Sequence, residues 1–325
     1  MVFSPTTAGS RPGTLTVTAA GGSIYSANLT GTGVPVYDAA ISVKYGSTHL
    51  VYPGATSVTA CVASATKTTA TGTFNIYDGT KLLTTQPLLG GGCGYWYISP
   101  GLAAGTHQLS VAYSGDRNNP AGTSTPTTIV VDPVPVYLGV NCWNSTFSYG
   151  ANYECVVIGS SSAGLATGAI TYTYDGGAAV TAPISNGTAQ FTISRPIVGS
   201  HTVSIAYAQQ GNFAAATAPT QKFTVTPAPV FVTVAPSNWY PKAGTNVTFH
   251  VTVTSNSGAG APKGIGNVSF MDGSTLVISV PVDSNGQASF STSYLYPGIH
   301  TIFATYSNGA NYGTGSGSAT VIVFP

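Results

Sequence analysis

Charge is scarce in this chain. Asp, Glu, Lys and Arg make up 5% of its 325 residues, against about 25% in an ordinary soluble protein. Nine Lys and Arg are scattered, and the formal net charge is +1. That removes the basic patch a nucleic-acid binder needs. The single Glu is Glu154, and the seven Asp do not group, so no acidic cluster is expected. Low net charge and 43% apolar residues also argue against disorder. No run of about 20 apolar residues is present to span a membrane as a helix. The opening residues "MVFSPTTAGSRPG" lack the basic and apolar regions of a secretory signal. Either a signal has been removed or the chain is a piece of a longer one. No segment carries an apolar period of 3.6 over ten residues, so helices are not expected.

Cysteine is sparse too. Four residues form two local pairs, Cys61 with Cys93 and Cys142 with Cys155. No C-x-x-C occurs and no zinc spacing is formed. Two disulfides within modules, or four buried free thiols, fit this pattern. Bridges would imply an oxidising, extracellular compartment. In a chain-entropy picture each would add about 3–4 kcal/mol.

What is abundant is repetition. "YDG" at Tyr77 returns as "YDG" at Tyr174 and "MDG" at Met271, with 97 residues between successive copies. A Gly-x-His element follows each: "GTHQLSVAY" from Gly105, "GSHTVSIAY" from Gly199 and "GIHTIFATY" from Gly298. The linkers "VDPVPV" and "VTPAPV" repeat as well. These periods predict modules at 37–132, 133–228 and 229–325, each of domain size and too long for a solenoid repeat. Residues 1–36 supply only the closing strands of a partial module, which is marginal alone. Within each module, short alternating runs rich in β-branched and aromatic residues are punctuated by Gly, Asn and Pro. "DG" after a strand marks a hairpin turn. About seven strands per hundred residues predict an all-β chain of tandem immunoglobulin-like sandwiches in an extended array. Placed end to end they would reach on the order of 100 Å. Pro133, Pro135, Pro227 and Pro229 stiffen the linkers.

"YDG", "LAAGTHQLSVAYSGDRN" and "TTIVV", at their spacings, resemble the tandem bacterial Ig-like repeat family. The likeness covers residues 37–325 in three copies. Residues 5–34, "PTTAGSRPGTLTVTAAGGSIYSANLTGTGV", are similar to the closing strands of an abnormal-spindle/hydin-like Ig domain. The resemblance implies secretion and a role as stalk, spacer or adhesin module. Asp116 of "SGDRNN" has no Asp counterpart in the second or third module.

The repeated His107, His201 and His300 are the sharpest candidate residues. Metal binding needs several ligands converging within about 2.0–2.2 Å of the ion, and no carboxylate or thiolate stands near each His in sequence at a repeated spacing. Catalysis would need a nucleophile, a base and an orienting group. An apolar residue, a tight Gly turn and a ring heading a strand match the place of the tyrosine corner of sandwich folds, where a polar tip bonds backbone. The three His are therefore expected to be structural corners, with no catalytic residue, metal or cofactor. Tyr113, Tyr207 and Tyr306 are expected in the core with hydroxyls at its rim. His49 and His250 do not repeat and read as surface or strand residues. Calcium at the linkers is disfavoured, because Asp38 and Asp132 lack partners.

Asn28, Asn144, Asn186, Asn246 and Asn267 head glycosylation sequons. Trp96, Trp143 and Trp239 are either glycan contacts or packing residues. The expected function is a non-enzymatic, extracellular stalk or filament-forming segment of a bacterial surface protein, with self-association or the rest of a longer surface chain as its partner. Strand addition to the incomplete residues 1–36 is one route to assembly. The alternative is an adhesin array that reads a glycan or cell-surface ligand. Nucleic-acid binding and membrane insertion are not expected.

Overall fold

A computed structural model describes residues 9–33, 40–64, 68–98 and 101–325. Among them every regular element is a strand. The chain divides into two compact units, Met1–Val134 and Pro135–Pro325.

In the first unit, Gly9–Thr18 and Ile24–Gly33 pair antiparallel over ten residues and pair with no other described strand. A sandwich follows. One sheet holds Ala40–Tyr45, Thr56–Ala63 and Cys93–Ile98, in that order. The other runs His49–Val51, Thr127–Asp132, Gly105–Tyr113, Thr73–Asp78 and Lys81–Pro87. Alternation decides which face is buried. Along Thr56–Ala63, Thr56, Val58, Ala60 and Val62 are buried while the residues between them are more exposed, as the two-residue strand period requires. Val58, Phe74, Leu109, Val111 and Ile129 meet in the core.

The second unit contains two more sandwiches. Leu138, Val157, Ile170, Val203 and Phe223 belong to one core. Val247, Phe249, Phe270, Ile302 and Val321 belong to the other. Strand order repeats that of the first sandwich. Gln221–Thr226, Gly199–Tyr207, Gly168–Tyr174 and Val180–Ile184 form a sheet that Thr146–Ser148 joins in parallel. In the third module Gly315–Val323, Gly298–Ser307, Asn267–Asp272 and Thr275–Pro281 form the equivalent sheet.

The second and third sandwiches share a closed joint. The Ala228 amide donates to the Asn311 carbonyl at 2.9 Å, and the Gly313 amide donates to the Ala228 carbonyl at 2.8 Å. The Val198 amide reaches the Asn311 side-chain oxygen at 3.0 Å, and Arg195 reaches the Gly258 carbonyl at 2.9 Å. Tyr149 and Tyr312 meet edge to face. Gly150, at φ 103°, lies so close to Ala259 that an added Cβ would stand 2.1 Å from its amide nitrogen. The linker prolines are thus one part of this joint, which side chains and backbone from both modules complete.

Candidate functional site: a thrice-repeated histidine corner

Each repeated His heads the long central strand of its sheet, two residues after a Gly in the left-handed region: Gly105 at φ 145°, Gly199 at 147° and Gly298 at 141°. That backbone is open to Gly at little cost. The strand runs antiparallel to one that ends at the repeated Asp, or in the second module one residue before it. This brings the two repeated motifs together. His107 Nδ1 lies 2.7 Å from Asp78 Oδ2 and its Nε2 lies 2.9 Å from the Ala103 carbonyl. His201 Nδ1 lies 2.7 Å from Asp175 Oδ2, with Nε2 2.7 Å from the Ile197 carbonyl. His300 repeats the pattern with Asp272 at 2.7 Å and the Tyr296 carbonyl at 2.8 Å.

The backbone bond at the ring tip agrees with the corner expected from sequence. The carboxylate corrects that expectation. It was missed because it lies 29, 26 and 28 residues earlier in the chain, beyond any local spacing. The clue was present: "DG" and Gly-x-His recur in step, so whatever one does in a module the other can share.

The geometry has a chemical consequence. A carboxylate and a carbonyl both accept, so the form of the ring that fits both partners is the one that donates from both nitrogens. Burial alone would lower the pKa of His107. The Asp78 carboxylate and the Ala103 carbonyl outweigh that and leave it raised. His300 is raised in the same way, burial opposing and Asp272 with Tyr296 prevailing. For Asp175, burial pushes the pKa up, but hydrogen bonds from His201 and Thr202 prevail and lower it. A ring with both nitrogens donating has no lone pair to offer a metal or a substrate proton. Among the described residues, no group of three or more His, Cys, Asp or Glu could hold an ion.

The modules elaborate the corner differently. The Asp78 carboxylate also accepts the Gln108 amide at 3.2 Å, and Asp175 accepts the Thr202 amide at 2.7 Å. His201 is buried, with Tyr174 Oη 2.8 Å from its Nδ1 and Phe223 against its ring.

A second repeated bond closes the other end of the strand. Tyr113, Tyr207 and Tyr306 are buried. Their hydroxyls donate to the carbonyls of Thr71, Thr167 and Ile265 at 2.6, 2.8 and 3.0 Å. Burial first, then the Asp116 charge, pushes the Tyr113 pKa up to about 12. Asp116 accepts the amides of Thr71, Asn118 and Asn119, which hold its carboxyl well below the usual range. The second module has Gln210 at that place, bonding both the amide and the carbonyl of Ala169. Loss of the Asp therefore keeps the brace in amide form there.

Both cysteine pairs are disulfides, Cys61–Cys93 and Cys142–Cys155. Each joins directly opposed residues of neighbouring strands within one sheet. His49 Nε2 pairs with Asp132 at 2.7 Å on the surface, a contact the non-repeating His did not advertise. Asp132 is thereby engaged, and Asp38 lies outside the described residues. Trp96 packs against the first core and lines a cleft of about 380 Å³ with Asp78, Lys81 and His107. Trp143 and Trp239 are about half exposed, each in a different module. Asn28, Asn144, Asn186 and Asn246 are exposed, and Asn267 is partly buried.

The profile of the bacterial Ig-like domain (group 3) matches residues 43–132 and 232–324. The chain belongs to this family. The second sandwich lies between the two matched segments, yet it carries the same Asp–His–carbonyl corner as the bacterial Ig-like modules on either side. No curated protein matches the chain. Among solved structures, the Escherichia coli adhesin FdeC is similar at 14% identity and TM-score 0.33, covering 90% of this chain and 99% of its own. The titin I-band fragment I67–I69 is similar at 11% identity and TM-score 0.36, with 90% and 100% covered. The Yersinia pseudotuberculosis adhesin InvE is similar at 16% identity and TM-score 0.32, with 57% of this chain and 58% of that one covered.

Proposed function

We propose that this bacterial Ig-like array is a non-enzymatic extracellular spacer, a stalk segment that carries load between a bacterial surface and whatever the rest of its protein presents. One observation carries the reading. The recurring polar residues are spent on holding strands: each corner His bonds an Asp and a carbonyl, and each strand-end Tyr bonds a carbonyl. The two disulfides suit an oxidising compartment, and cross-strand staples resist shear within a sheet. The hairpin of Gly9–Thr18 and Ile24–Gly33 aligns Leu15 with Ala27 and Val17 with Tyr25, one apolar face that further strands from another chain or segment would complete.

Single-molecule pulling on the whole chain tests the spacer. Modules should unfold in separate steps at substantial force. Reduction should lengthen the first module's step, because the Cys61–Cys93 bridge closes off 32 residues, or about 110 Å of extended chain. One concerted step at low force would contradict it.

A second reading rests on exposed aromatics in the third module, Trp239 with Tyr240, Tyr294 and Tyr296. Such rings suit sugar faces. A glycan array decides it: binding lost in Trp239→Ala supports a reader of surface glycans, and no binding by the unaltered chain counts against one.

A further inference from the structure

The outward face of the third module's larger sheet differs from its counterparts. Aligned on the corner His, the first module presents Thr106, Ser110 and Val130, and the second presents Ser200, Ser204 and Thr224. The third presents Ile299, Phe303 and Ile322, exposed at 74%, 40% and 39%. Ile299 stands opposite Ile322, and Phe303 stands beside Met271, which is opposite Leu276. Between these apolar rows lie Thr301 and Thr320, whose hydroxyls bond each other at 3.0 Å. One hydroxyl donates to the other, so burial of the pair would leave a single hydroxyl hydrogen to find an acceptor. The Trp239 carbonyl accepts from Ile322, and the Pro241 carbonyl from Phe324. That sets exposed Tyr240 beside Ile322 and extends the patch.

We propose that this face is a self-association surface, taken up by the same face of a second copy of the chain. The repeats supply an internal comparison: the second module serves the same positions with Ser and Thr, and the first with Thr, Ser and one Val, so three large apolar residues here are not needed to form the sheet. The charge pattern selects the partner. The rows from Met271 to Ile322 carry no Asp, Glu, Lys or Arg on this face, and the one charge at its edge is Lys242, opposite Phe324, so a charged partner finds little to pair with. Two copies, each of formal charge +1, approach with little repulsion. Two-fold pairing places apolar rows on apolar rows. The area suffices for a modest dimer. Four strands about 4.8 Å apart, with a central strand about 34 Å long, give on the order of 1,200 Å² buried over both copies, the low end for stable pairs. The central strand, Gly298–Ser307, has ten residues. The face can act in this way whether the modules serve as spacers or read a surface ligand.

Sedimentation velocity of the full chain over a wide concentration range tests the proposal. The unaltered protein should move from monomer to dimer as concentration rises. The triple variant Ile299→Ser, Phe303→Ser, Ile322→Thr takes the second module's residues and should weaken association at least about tenfold. Thr301→Glu places one charge at the centre of the face without removing an apolar contact to the core, and should do the same while its melting stays near that of the unaltered chain. Two results would overturn the proposal: a monomer at every concentration, or variants that associate as strongly as the parent.

Discussion

The imidazoles of His107 and His300 each satisfy two acceptors, and their raised pKa values make that a stability statement. A folded pKa above the unfolded one means the contribution is complete at pH below the ordinary histidine value. It fades as pH rises through the folded value. Thermal melts between about pH 5 and about pH 9 should therefore fall on the alkaline side through these two groups, and the fall should shrink in a His107→Gln, His300→Gln double variant. Asp175 runs the other way: its lowered pKa gives stability that is lost only in acid, as pH falls through the folded value. Removing one carboxylate, as in Asp272→Ala, should cost about 1 kcal/mol by taking the acceptor from the partly buried His300, read as a shift in the denaturation midpoint. The three His were legible in the sequence as corners with a backbone bond. Their carboxylates were not, because the partner comes from a strand adjacent in the sheet but more than twenty-five positions back in the chain. His49 escaped for the same reason, paired across 83 positions with Asp132.

The elements themselves were written plainly. Alternation in "SVTACVAS" and "HTVSIAY" sets one side of each strand in the core. The "DG" and Gly-x-His signals mark where those strands turn or begin. What could not be read is how strongly the strand heads depend on Gly. At Gly105 and Gly298 an added Cβ would meet nothing within 4 Å, so space is not the constraint; the positive φ is. Gly298→Ala should lower stability by about 1–3 kcal/mol through backbone strain alone. Gly90, which has open space around it and no positive φ, should accept Ala with little change. Chemical denaturation of the two variants side by side separates backbone conformation from crowding. The strand-end Tyr is a second element-level brace. Tyr207→Phe removes one hydrogen bond to Thr167 while keeping the ring, and should cost about 1 kcal/mol.

At the level of the whole molecule, the period of 97 residues announces three modules, yet the last two form one compact unit. The joint was hidden because its parts are dispersed: Asn311 and Tyr312 follow the third module's central strand, Arg195 and Val198 precede the second's, and Gly258 lies in a loop. Nothing in the prolines at 227 and 229 advertises these contacts. Asn311→Ala should loosen the joint, seen as faster amide exchange at Val198 with the cores of both sandwiches unchanged.

The account turns on the corner His being a double donor that holds shape. Long-range proton–nitrogen NMR of the imidazoles at neutral pH tests that most directly. Both ring nitrogens of His107 and of His300 should carry protons, with signals protected from exchange. A bare ring nitrogen at either residue, free to take a proton or a metal ion, would contradict it.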